Sequence, residues 1–320
     1  MTETELKNLL KTVAPPDEAA RAAAHAHWAA LAKPLGGLGQ LETMVEAAAA
    51  LTGDPAPDFT RRAVLVLCAD NGVVAQGVSQ TDASVTRAVL ENLTARRTSV
   101  CCMAAAAHCE GVPVDMGIAG VPVPGAVDRR VAPGTRDFTQ GPAMTREQAV
   151  QAVAAGIELV RTQKQNGVRL LATGEMGIGN TTTSSAVAAV LLGCLLYTSP
   201  SPRDRGGFDI AGLCGVFLGG ALEKIPVIMD GFISGVAALC AVRLCPAAAK
   251  AVFASHASSE PAARLVLDAL HKKPLITADL HLGEGTGAVA SLPLWDMALA
   301  VYNHCYSFTE GGIAPYTPQC

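Results

Sequence analysis

Up to about residue 60, apolar residues recur at helical spacing. Asp17 can cap a helix reaching residue 28, and a second helical run covers 41–51. Between them Lys33-Pro34-Leu35-Gly36-Gly37-Leu38-Gly39 is too rich in glycine for either element and reads as a turn. The pattern then changes. Residues 63–69 form a short, unbroken apolar run that ends in Asp70-Asn71-Gly72, as expected of a parallel strand buried on both faces. The same shape returns three times: Val112-Pro113-Val114-Asp115 runs into Met116-Gly117, residues 168–172 run into Thr173-Gly174-Glu175, and Pro226-Val227-Ile228-Met229 runs into Asp230-Gly231. Helical stretches separate these runs. One covers 145–161, where Thr145 and Gln148 make a capping box, and another covers 288–302. Strands alternating with helices predict an α/β fold with a parallel sheet covered on both faces. Ligands of such sheets sit beyond the carboxyl ends of the strands, where the Asp, Glu and Gly residues gather.

Composition narrows the class. A chain of 320 residues suits one large α/β domain with a smaller helical part, or two domains, and 50% hydrophobic with 16% charged residues implies a large core. The net charge of -4 and the absence of long basic runs argue against nucleic-acid binding; Arg96-Arg97 and Arg129-Arg130 read as solvated pairs. Apolar stretches such as 186–196 fall short of the roughly 20 residues that span a bilayer. The first ten residues are polar and acidic, unlike a signal peptide, so a cytoplasmic, membrane-free protein is expected. Ten cysteines occur without a CxxC pair, which argues against a zinc or redox motif and favours buried thiols in a reducing compartment.

The strongest local signal for chemistry is the turn Gly174-Glu175-Met176-Gly177-Ile178-Gly179-Asn180, followed by Thr181-Thr182-Thr183-Ser184. Three glycines let backbone approach a ligand, and N–H groups at the following helix start can hold a phosphate or carboxylate. The alternative is a tight strand-to-helix connection that needs glycine for its geometry alone. It is neither a Walker loop nor a GxGxxG fingerprint. Leu282-Gly283-Glu284-Gly285-Thr286-Gly287 is a second such turn. Glu310, between Phe308 and Gly311, is a candidate base if apolar neighbours raise its pKa; by local context alone, an exposed acid is the simpler reading. His256 reads more simply as a capping or packing group than as a catalytic one.

In chain order these strings closely resemble the nicotinate-nucleotide:dimethylbenzimidazole phosphoribosyltransferase family. The resemblance also rests on Ala69-Asp70-Asn71-Gly72-Val73 with Gly77-Val78-Ser79, Val114-Asp115-Met116-Gly117-Ile118, Gly141-Pro142-Ala143-Met144, Asp230-Gly231-Phe232, Ser255-His256 and Phe308-Thr309-Glu310. It implies phosphoribose transfer from nicotinate mononucleotide to 5,6-dimethylbenzimidazole or a similar base, without metal or cofactor. It implies a three-layer α/β/α domain over 61–302, a small helical domain from 1–60 with 303–320, and a homodimer. Glu310 would be the base and Glu175 would face the sugar. Substrate contacts would fall on Ser79, on Gly174, Gly177, Gly179, Asn180 and Thr181, on Asp230, and on Gly283, Gly285, Thr286 and Gly287. Some relatives carry Gln shortly after the Val-Thr that matches Val85-Thr86, where Arg87-Ala88 stand here, so the choice of base is left open.

Residues 194–205, Cys-Leu-Leu-Tyr-Thr-Ser-Pro-Ser-Pro-Arg-Asp-Arg, break the resemblance. The family has a Gly-Arg-Gly-Thr-Gly loop and a lysine-bearing helix at this point, some tens of residues that help bind the phosphate. The string reads as translated sequencing-adapter sequence that has replaced them; a natural loop deletion is the alternative. The rival to an active transferase is therefore a catalytically impaired, nucleotide-binding relative.

Overall fold

The computed structural model describes residues 1–193 and 204–316, so most of the anomalous 194–205 string lies outside the described residues. Among the described residues six strands form one sheet: β1 (Arg62–Ala69), β2 (Glu110–Gly117), β3 (Val127–Asp128), β4 (Leu170–Met176), β5 (Val227–Met229) and β6 (Val252–Ala254). All pairs are parallel and the order is β3-β2-β1-β4-β5-β6, the doubly wound arrangement in which the winding reverses between β1 and β4.

The sheet is covered on both faces. Successive strand residues point to opposite sides, so Val64 and Leu67 of β1 mark the two faces. Leu67 approaches Gly212 of α8 (Phe208–Glu223), whereas Val64 approaches Gly285, which precedes α11 (Thr286–Ala290). The α6 helix (Arg146–Gln165) packs outside α8, and α9 (Phe232–Leu244) lies beside it. The predicted Thr145/Gln148 capping box is present at the start of α6. The expected single helix over 288–302 is instead α11 followed by α12 (Leu292–His304): Pro293 in the first turn of α12 cannot continue the hydrogen-bond ladder of α11. Strands β3 and β6 were not predicted. Both are short, and unlike the equally short β5 neither ends in an Asp-Gly turn that marks a strand.

The chain's two ends meet. Helices α2 (Glu18–Ala30), capped by Asp17 as expected, and α3 (Gln40–Thr52) pair with each other, and α3 packs on α12. Phe308 N–H donates to Ala30 O at 3.0 Å and Ala32 N–H to Tyr306 O at 3.0 Å. The turn between α2 and α3 is locked from within: Lys33 pairs with buried Glu42 at 2.7 Å and lies over the Trp28 ring, while Leu38 N–H donates to Glu42. Arg62 joins sheet to α12 through a two-pronged contact with Asp296 at 2.6 and 2.9 Å. One hydrophobic cluster runs from these helices through the sheet. Among the described residues no helix is long and apolar enough to cross a membrane.

Candidate active site

Beyond the carboxyl ends of β4, β5 and β6 lies a cleft of ≈ 250 Å³. Glu175 comes from the end of β4, Asp230 follows β5, and His256 follows β6. The wall is completed by Ser79, by Gly177, Gly179, Asn180 and Thr181 of the first glycine turn, and by Gly283 and Glu284 of the second. Eight of the sequence-predicted positions thus face one space.

Glu175, Asp230, Glu260 and Glu284 put four acids on the wall, and Asp209 lies behind it. Glu175 is buried, and burial, then the nearby Asp209, pushes its carboxyl up to about 8 against the opposing pull of a hydrogen bond from Asn180. Burial also raises Asp209 to about 6. Asn180 Nδ2 donates to both carboxyls, to Glu175 Oε2 and to Asp209 Oδ2 at 3.0 Å. Asp230, raised by burial and lowered by His256, accepts from Gly285 N–H at 3.2 Å and Ala288 N–H at 2.8 Å. Its carboxyl therefore ties the second turn and the start of α11 to β5. Glu284 is also raised by burial. A cleft so rich in carboxyls favours a ligand carrying positive charge at its reacting end.

Glycine is required at Gly177 by close approach. A Cβ there would lie 2.6 Å from Ala69 O and 2.8 Å from both Asn71 Nδ2 and Asp209 Oδ2. Helix α7 (Asn180–Leu192) then starts without a side-chain cap, its first turn bordering the cleft. Four expected contact residues stand behind the wall. Gly174 abuts the backbone of Glu284 and Gly285, so the two turns lie back to back. Thr286 is buried and donates to Gly283 O at 2.8 Å, and Gly287 packs against the His256 ring.

The environment expected for Glu310 is not found. Phe308 turns inward and is buried, whereas Glu310 faces solvent and accepts from Ser307 N–H at 2.7 Å and Ser307 Oγ at 2.8 Å. These bonds hold its carboxyl below the usual range rather than above it. Glu310 does not line the cleft of its own chain. His256, read from sequence as packing, does pack, with Nδ1 3.0 Å from Ser255 Oγ, but its ring also forms cleft wall, and burial lowers its pKa. Asp209 and Asn71 were missed. The faint signal was an acid just after Gly206-Gly207 at a helix start, and an amide at the end of the first strand.

A phosphoribosyltransferase family model matches residues 13–198 and 203–313, with an interruption inside the anomalous string. A nicotinate-nucleotide--dimethylbenzimidazole phosphoribosyltransferase of Ruminiclostridium cellulolyticum is 39% identical over 323 residues, which cover 90% of this chain and 92% of the relative. That of Chloroflexus aggregans is 39% identical over 345 residues, covering 97% and 98%. An alignment longer than the 320-residue chain means that this relative has residues without a counterpart here. The crystal structure of CobT from Thermus thermophilus superposes with a TM-score of 0.87 at 36% identity, over 92% of this chain and 99% of that one.

Proposed function

The chain belongs to the nicotinate-nucleotide:dimethylbenzimidazole phosphoribosyltransferase family, and from this premise we infer that it transfers phosphoribose from nicotinate mononucleotide to 5,6-dimethylbenzimidazole. The products are nicotinate and α-ribazole 5′-phosphate, used in assembling the nucleotide loop of cobalamin. The observation that carries this is the gathering of the family's glycine turns and acids around one cleft, in a chain 39% identical to a named enzyme over nearly its whole length. A nucleotide-binding relative without turnover is not favoured. Incubating the protein with both substrates is expected to yield α-ribazole phosphate by chromatography; nucleotide binding without any product would overturn the assignment.

The chemistry assigns roles. The ring nitrogen of nicotinate mononucleotide is already cationic, so it leaves the ribose carbon without a general acid. Positive charge then develops on the sugar, and the Glu175 carboxylate is placed to stabilise it. Burial and Asp209 raise the Glu175 carboxyl to about 8 in the unliganded cleft; the cationic ring nitrogen of the substrate favours its ionised form, so binding is accompanied by proton release. Gly177, Gly179, Asn180, Thr181 and Gly283 hold the nucleotide from the wall, and Ser79 borders the pocket for the incoming base. Gly174, Gly285, Thr286 and Gly287 support that wall from behind, and Asp230, itself on the wall, ties down the second turn.

The incoming benzimidazole must lose a ring proton, so one base is required. We assign it to Glu310, acting across a homodimer. Two observations support the crossing: Glu310 stands away from its own cleft, and the exposed apolar side chains Tyr306, Ile313 and Tyr316 surround it in sequence, as at a surface awaiting a second copy. Glu310→Gln and Glu175→Gln are each expected to lose most turnover. Mixed and reassembled, the two variants should recover about a quarter of wild-type activity, because half the dimers are mixed and each has one intact cleft. No recovery would assign base and cleft to the same chain.

A further inference from the structure

A second buried carboxyl stands directly behind Glu175. Asp209, in the first turn of α8, is fully buried and does not line the cleft. The two acids share one donor group. Asn180 Nδ2 carries two hydrogens and gives one to Glu175 Oε2 and the other to Asp209 Oδ2. Asp209 is itself held from several directions. Ile210 N–H donates to its Oδ1 at 2.9 Å, and Asn71, fixed by Thr183 Oγ1 at 2.9 Å, bonds to its carboxyl. Gly177 closes over the group, with no room for a Cβ. A continuous set of contacts therefore runs from the end of β1 through α8 to α7 and finishes on Glu175, whose other oxygen, Oε1, lies beside Gly283 on the cleft wall.

We propose that Asp209 is a positioning residue for Glu175: anchored by α8 and Asn71, it aims the Asn180 carboxamide that fixes the Glu175 carboxyl, and it stands behind that carboxyl as a second acid on the side away from the substrate's cationic ring nitrogen. The proposal rests on the assignment of Glu175 to the sugar. Asp209 faces Glu175 from α8, Asp230 from the end of β5, Glu284 from the loop before α11 and the Cys68 thiol from β1; Asn180 of α7 is the opposing donor. Burial raises both carboxyls, and the adjacent Asp209 raises Glu175 further. Two adjacent buried carboxyls that share one donor disfavour double ionisation, so the pair keeps a proton more readily than an isolated carboxyl does. Replacing that proton with a cation requires no movement of the carboxyl, because Asn180 already holds it.

The test reads the titration of Glu175 directly in the unliganded full chain, by carboxyl ¹³C NMR, with the resonance assigned by its loss in Glu175→Gln. In Asp209→Asn, which preserves shape and an acceptor for Asn180, the Glu175 midpoint is expected to fall by about one pH unit or more, because a like charge is gone. An unchanged midpoint in a folded Asp209→Asn protein overturns the proposal. In Asn180→Ser the midpoint is expected to rise, because the donor that favours the ionised form is lost. Should Asp209→Asn not fold, absence of that rise overturns the proposal equally. Turnover separates this link from the role of Glu175: wild-type turnover in Glu175→Gln would remove Glu175 from the mechanism and leave the Asp209 titration result standing.

Discussion

Glu175 concentrates the cost of building this cleft. Folded, its carboxyl holds a proton up to about 8, whereas the ordinary value is 4.5. Between those values the native chain binds a proton that the unfolded chain has released, so stability falls as pH rises through the window and levels off above it. At about 1.4 kcal/mol per unit the effect is on the order of a few kcal/mol. Glu175→Gln removes this group's share of the slope, leaving those of Asp209, Asp230 and Glu284, and is expected to be the more stable protein above about pH 8, with the advantage shrinking toward about pH 5; urea melts at the two ends check this. A variant that tracks wild type at both ends would show that the carboxyl is not desolvated as described. Gly177→Ala should behave in the opposite way. Its Cβ meets Ala69 O and the Asn71–Asp209 pair, so backbone must move, and we expect about 1–3 kcal/mol of lost stability together with lost turnover. These contacts were not legible in the sequence. The glycine was visible, but its neighbours lie 106 to 108 positions upstream and 32 downstream.

Helix starts and strand ends separate structural from functional chemistry. Thr145 caps α6 on the outside of the fold, so Thr145→Ala should cost about 1 kcal/mol in thermal or denaturant melts and leave turnover unchanged. Asp230 also satisfies a helix start, that of α11, but its carboxyl ties down the turn bearing Gly283. Asp230→Ala is expected to cost about 1–3 kcal/mol and also to weaken nicotinate mononucleotide binding, measured by calorimetry. The capping box was readable because its partners are three residues apart. The Asp230 contacts were not, because they reach 55 and 58 residues along the chain. Pro293 could have divided the last predicted helix at sequence level, since its missing N–H is a local property.

For the whole molecule, the anomalous string is the main structural question. A cavity of ≈ 780 Å³ is lined by mostly apolar residues of α1 (Glu3–Leu10), α6 and α9, and also by Val187 and Leu191 of α7 and Gly206, Gly207 and Ile210, which flank the string. Replacing residues 194–203 with the corresponding stretch of the Chloroflexus aggregans relative is expected to raise the melting temperature and strengthen nucleotide binding. If neither changes, the extra residues of that relative are dispensable here. We also propose that residues 1–60 with 303–320 act as the small helical unit presented to a second copy. Local pattern by itself determined the strand-and-helix alternation, most element positions, the family and the two glycine turns, because those depend on periodicity, caps and short strings. Tertiary structure alone decided that Asp209 and Asn71 join Glu175, that His256 forms cleft wall and that Glu310 faces solvent. Burial, and therefore the protonation of an acid, depends on which distant segments pack around it, and no local pattern carries that information.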